Sequence, residues 1–314
     1  MSSAVLLVGE ALGVLGARSR LSRAASLEVG VGGAELNVAI GLRRLGVRSI
    51  WLGRLGTDGL GQRVRRELRG EDVEVMAIED PHPTGLLLKE RDGVGRTLVT
   101  YHRAGSAGSR LNQEDLASVP WAHIALLHVT GITPALSDSA AAAIEAAVWM
   151  AHDHGVPVSF DVNHRRTLWG ERDPRSVYRA LARRSDVVFA GTEEAAFLLD
   201  DAAPAADEDA LAQQLSREYH SEVVLKLGER GAVAAVDRRV LRVPPVPTAV
   251  VDTVGAGDAF VAGYLAERLR GCDLPQRLAT ATAAGAAACR SAGDWEGAIY
   301  RDELDAGESD PVVR

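Results

Sequence analysis

Asp252-Thr-Val-Gly-Ala-Gly-Asp-Ala-Phe260 is the stretch on which the reading of this chain turns. From Ala256 the sequence runs AGDAFVAGYLAERLRG, with Ala259, Val261, Ala262, Leu265 and Leu269 at helical spacing, Arg268 and Arg270 in the last turn and Gly271 as the stop. Gly255, Ala256 and Gly257 therefore open a helix. The first amides of a helix have no partner within it and the positive end of its dipole lies there, so an anion can be held against bare glycine backbone. Asp258 falls in that first turn, where an aspartate reads equally well as a cap or dipole partner. The neighbouring Asp252, Thr253 and small residues tilt the reading toward a general base in a phosphoryl-transfer site.

Outward from this helix, short β-rich runs alternate with helical patterns, the sign of a mainly parallel sheet covered on both faces. The strands are expected at Ala4 to Val8, Ser49 to Gly53, Val73 to Ile78, Ile124 to Val129, Pro157 to Asp161, Val187 to Ala190 and Glu222 to Leu227. Helices are expected at Ala34 to Leu45, Gly59 to Leu68, Ser137 to His154, Arg175 to Arg183, Glu193 to Leu199, Asp209 to Tyr219 and Leu278 to Arg290. Two stretches break the rhythm. Gly85 to Glu90 and Thr97 to Tyr101 flank RDGVGR and read as a hairpin after the third strand, and Ala17 to Val29 is a mixed insertion after the first. Either reads as well as a plain surface excursion. The acidic, proline-interrupted Asp200 to Asp209 reads as a solvated loop inside one domain spanning 1–314.

Composition narrows the function. The 314 residues are 46% hydrophobic and 4% aromatic, enough for one sizeable α/β core. A formal charge of −8 disfavours nucleic-acid binding. Cys272 and Cys289 lack disulfide or metal spacing, and no basic leader or membrane-length apolar run is present, so a cytoplasmic protein is expected. His152 and His154, at a helix end, read as dipole partners before a metal pair. No Gly-Lys dipeptide exists, which excludes a Walker A loop, and neither Gly30/Gly32 nor Gly255/Gly257 completes a dinucleotide fingerprint.

Taken singly, the other candidates are weak signals. Gly33 and Asn37 in GVGGAELN combine a glycine turn with an amide at a helix start. KLGERG, Lys226 to Gly231, is a turn that passes under phosphates or simply joins two strands. Arg165, past the carboxyl end of the Pro157 to Asp161 strand, lies where ligands collect in open parallel sheets, though most arginines are only solvated.

The GAGD helix start and the GVGGAELN run together resemble the two signatures of the PfkB, or ribokinase-like, carbohydrate kinases. TYHRAGSAGS at 100–109, GITPALS at 131–137 and DVNHRRTLW at 161–169 are further similar to the bacterial branch that phosphorylates 2-keto-3-deoxygluconate, over Val8 to Asp302. The resemblance implies a three-layer α/β/α fold with a small inserted β lid, roughly 16–29 and 84–103, that also pairs two copies. It implies ATP and Mg2+, Asp258 as base toward the terminal 6-hydroxyl, and Gly255, Ala256 and Gly257 as anion hole. Gly33, Asn37, Tyr101, Arg103, Ile132 and Arg165 then line the sugar-acid pocket, with Asp294 adding a carboxylate beside Asp258. Lys226, Gly228 and Gly231 border the nucleotide, and Glu194 serves phosphate and magnesium indirectly, although Gly191 stands where the family has an asparagine. Leu87 replaces a tyrosine and His102 a more usual aromatic, which leaves the identity of the sugar acid open. The runner-up is a fructokinase or other sugar kinase of the family, which needs no carboxylate clamp.

Overall fold

The computed structural model describes residues 3–92, 97–199 and 207–306. Its strands are β1 (Ala4–Val8), β2 (Leu12–Gly16), β3 (Glu28–Gly32), β4 (Ser49–Gly56), β5 (Glu74–Asp80), β6 (Gly85–Arg91), β7 (Thr97–His102), β8 (Ile124–Thr130), β9 (Val158–Asp161), β10 (Val187–Gly191), β11 (Glu222–Lys226), β12 (Ala232–Val236) and β13 (Arg239–Val243). A nine-stranded sheet has the order β13-β12-β11-β10-β9-β8-β1-β4-β5. It is parallel from β11 to β5, with β12 and β13 added antiparallel at one edge.

Alternation along β1 shows how the core is built. Ala4, Leu6 and Val8 face one apolar layer, with the helix Asp138–Asp153, while Val5 and Leu7 face the other, with the helices Ala34–Arg44 and Ala256–Leu269. Both faces are dry, so the strands are continuous hydrophobic runs. From β1 the chain winds one way to β4 and β5 and the other way through β8 to β11, so the order reverses beside β1. The crevice at the carboxyl ends of strands on either side of such a reversal is where open α/β sheets bind ligands.

The second sheet, β3-β2-β6-β7, has four strands, with β2 parallel to β6 and antiparallel pairs outside. Its first hairpin starts at Leu12 rather than Gly16, and 16–29 is mostly the connection between β2 and β3. The cause is in LGVLG, Leu12–Gly16, whose glycines hide a strand that alternates Leu12 and Val14 into a small cluster with Leu87. The Glu193 to Leu199 helix reduces to Thr192–Ala195, and β12 and β13, beyond the KLGERG turn, go unannounced by the strand pattern. Residues 93–96 of the RDGVGR turn and 200–206 of the acidic stretch lie outside the described residues. No helix among the described residues is long and apolar enough to cross a membrane.

Candidate active site

Gly255 caps the helix Ala256–Leu269 in the left-handed region, φ 77°, and a Cβ there would lie 1.8 Å from the carbonyl oxygen of Asp294. Only glycine can make this turn. Gly257 is within the helix and is not left-handed; its open side faces Lys226, whose Nζ is 3.7 Å from where a Cβ would stand. Lys226 ends β11 and is anchored to Asp161, the last residue of β9, at 2.7 Å. Burial works against its charge, but Asp161, Glu194 and Asp258 outweigh burial and raise its pKa. An ammonium thus meets the helix start, where the Ala256 amide donates to the Thr253 carbonyl at 3.3 Å; a cation beside helix-start amides is suited to stabilising charge that develops on a transferring phosphoryl group.

Asp258 is buried in the first helical turn. One of its oxygens accepts from Asn37 Nδ2 at 2.8 Å and the other from Asn163 Nδ2 at 3.3 Å. Burial pushes its pKa up to about 6, against the Asn37 hydrogen bond and the Arg165 charge. A carboxylate in that range can accept a proton near neutral pH. Below it, Glu35 accepts from Thr130 Oγ1 at 2.7 Å and Thr133 Oγ1 at 2.9 Å. Burial raises Glu35 to about 7, with Asp258 adding repulsion.

The remaining candidates divide between the two sheets. Gly33, at φ 145°, caps the helix Ala34–Arg44 that carries Asn37 one turn later. Ile132 is buried, its amide donating to Thr130 Oγ1, and Arg165 is exposed past β9 with its charge bearing on Asp258. Tyr101 stands opposite Leu87 across β6 and β7, and the Arg103 guanidinium lies 4.1 Å over its ring. Arg103 is itself buried against a body carboxylate, its Nε 3.3 Å from Glu10, and its Nη1 has no hydrogen-bond partner.

The Asp294 carboxylate, expected beside Asp258, is bound by Lys89 Nζ at 2.7 Å, and the charges that act on it most strongly are those of Lys89, Glu296 and Asp252. Glu194 is also committed: its two oxygens accept from the amides of His164 at 2.8 Å and Gly191 at 2.6 Å. The Gly191 amide thereby caps the short helix Thr192–Ala195 through Glu194. Gly228 and Gly231 are both left-handed and border a cleft of about 770 Å³ with Lys226, Gly257, Phe260 and Gly285. Asn163, Asp161, Glu35 and Lys89 were missed as site residues. For Lys89 a signal existed, since of 35 lysines and arginines only Lys89 and Lys226 are lysines.

The parallel sheet, the small second sheet over its carboxyl edge and the glycine-capped aspartate define the ribokinase-like class of phosphoryl-transfer enzyme. The chain belongs to the pfkB family of carbohydrate kinases, whose family model matches residues 3–298. It is 34% identical over 290 residues, 90% of this chain and 88% of the relative, to a 2-dehydro-3-deoxygluconokinase of Bacillus subtilis (strain 168). To a fructokinase of Klebsiella pneumoniae it is 33% identical over 287 residues, 87% of this chain and 90% of that one. The crystal structure of a 2-dehydro-3-deoxygluconokinase from Thermotoga maritima superposes with a TM-score of 0.88 at 25% identity, covering 97% of this chain and 98% of that one.

Proposed function

We propose that this kinase transfers the γ-phosphoryl group of ATP to the terminal 6-hydroxyl of 2-keto-3-deoxygluconate (2-dehydro-3-deoxygluconate). The observation that carries the reading is Asp258, buried beside the Gly255–Gly257 helix start and held on both oxygens by neutral amides. Asp258 takes the hydroxyl proton as the substrate oxygen attacks the γ-phosphorus in line; the new O–P bond forms as the β,γ-bridging bond breaks and ADP leaves. The amides of the helix start and Lys226 act on the charge that develops on the transferring group.

The cleft lined by Lys226, Gly228, Gly231, Val246, Val250 and Cys289 suits a nucleotide: apolar on one side for the base, with glycine backbone and an ammonium on the other for phosphates. Among the described residues no group of three or more His, Cys, Asp or Glu could hold a metal, and both oxygens of Glu194 are engaged by amides. A magnesium ion here would be held chiefly by the phosphates, with Asp161 and Glu194, the carboxylates that bear on Lys226, as the nearby protein charges. When bound, it supplies neutralising charge to the phosphate oxygens. For the acceptor, Arg165 and the free edge of Arg103 are suited to a carboxylate, which fructose does not have. The small sheet, with Gly33 and Tyr101 at its edge, serves as the lid, and the exposed Val29 and Val99 support pairing with a second copy there.

A coupled assay of the purified chain with 2-keto-3-deoxygluconate, 2-keto-3-deoxygalactonate and fructose tests the reading, with product regiochemistry read by NMR. The keto acids are expected to exceed fructose in kcat/KM. A preference for fructose, or phosphate on any oxygen but O6, would sink it and leave the fructokinase reading.

A further inference from the structure

The chain is almost free of lysine, and its two lysines, Lys89 buried and Lys226 half-buried, form ion pairs on either flank of the glycine-capped helix start. Lys226 reaches Gly257 directly. Lys89 does not reach it; it extends from β6 of the lid to Asp294, 205 residues away in sequence, with side-chain exposures of only 11% and 8% for the pair. Asp294 in turn is wedged between two glycines. Its carbonyl packs where a Cβ of Gly255 would stand, and its carboxylate lies 2.8 Å from where a Cβ of Gly32 would be.

We propose that Lys89 is a positioning residue for phosphoryl transfer: by holding the Asp294 carboxylate it fixes the Asp294 main chain against Gly255, and so the helix-start amides, when the lid lies over the body. The inference rests on the reading of Gly255–Gly257 as the anion hole. Its physical basis is the geometry of contact. Asp294 is the shared wall of the Gly255 turn and the Gly32 turn, and its strongest cationic partner comes from the lid. A buried carboxylate deprived of that partner is left uncompensated and moves toward solvent, and its backbone moves with it. The amides then lose their alignment with the developing charge, an effect on turnover and not on ground-state binding. A compact ammonium suits this niche better than the planar guanidinium used nearly everywhere else in the chain.

The test uses the full chain and two variants, Lys89→Met and the double variant Lys89→Met/Asp294→Asn, which leaves neither charge of the pair behind. Both are expected to lower kcat at least about tenfold, less than the roughly 10²- to 10³-fold cost of removing such a donor outright, while KM for ATP stays within about twofold. Thermal unfolding of the same samples reports the fold. If the double variant is folded and turns over within about twofold of wild type, the pair is only structural and the proposal fails. Asp258→Asn run beside them separates the two readings. An inactive Asp258→Asn with a fully active Lys89→Met refutes the role of Lys89 alone, whereas a fully active Asp258→Asn refutes the site itself.

Discussion

The Asp258 carboxylate on the body side of this site and the cations on its lid side are held by opposite means. On the body, the Asp258 carboxylate is fixed by two neutral amides, Asn37 and Asn163, and retains a net negative charge. On the lid, Lys89 and Arg103 are each set against a buried carboxylate, Asp294 and Glu10, so both charges are largely cancelled. The difference follows from what each group is asked to do. A base loses basicity when a cation is bound to it, because the cation favours the ionised form and lowers the pKa. Neutral donors fix the geometry of Asp258 while burial, the largest influence, lifts its pKa to about 6. An ion pair suits a closing contact, where geometry matters and reactivity does not.

The largest effect should come from the body side. Asp258→Asn keeps the shape and the ability to accept from one amide, but removes the base. Turnover is expected to fall by about two to four orders of magnitude, with nucleotide and sugar affinity nearly unchanged, measured by steady-state kinetics and calorimetry. A variant retaining more than about a tenth of wild-type turnover would remove Asp258 from the role and erase the contrast between the two sides.

Next in size is the proposed acceptor clamp. Arg165→Met should raise KM for 2-keto-3-deoxygluconate about 10- to 150-fold, the loss of a charge-assisted bidentate pair, and change KM for fructose little. Equal weakening of both substrates would place Arg165 outside the carboxylate contact. The exposed position of Arg165 and the buried, Glu10-bound position of Arg103 make Arg165 the sharper probe.

The fold was legible in the sequence because its signals are local. Continuous apolar runs gave the parallel strands, and the Gly255 to Gly271 pattern gave the helix that presents Asp258. The departures have particular causes. Leu12–Gly16 has two glycines in five residues, which conceals a lid strand whose partner is supplied by β6, far along the chain. Asp294 and Asp258 are both acidic residues in glycine-rich turns, and nothing local distinguishes a carboxylate that meets Lys89 from one that meets two asparagines. Asn163 belonged to a stretch already singled out, but its role depends on a left-handed backbone, φ 38°, that turns its amide toward a residue 95 positions away. Long-range pairing of polar side chains carries no periodicity, so periodicity could not reveal it.

Asn163 also provides the finest test of the contrast. Its hydrogen bond to Asp258, at 3.3 Å, is longer than that of Asn37, and it favours the ionised carboxylate. In the wild type, Asp258 is ionised above about pH 6 and protonated below it, so kcat/KM should be level on the alkaline side and fall about tenfold per unit on the acid side. Loss of one neutral donor disfavours the ionised form. Asn163→Ala should therefore move the acid limb to higher pH, by less than about one unit for a hydrogen bond of roughly 0.5 to 1.5 kcal/mol. The plateau should drop only several-fold, since Asn37 still holds the other oxygen. The pH–rate profile distinguishes this from a packing defect, which lowers the plateau and leaves the limb in place. A limb that moves to lower pH would mean that Asn163 favours the protonated carboxyl, and the neutral-donor account of the base would be wrong.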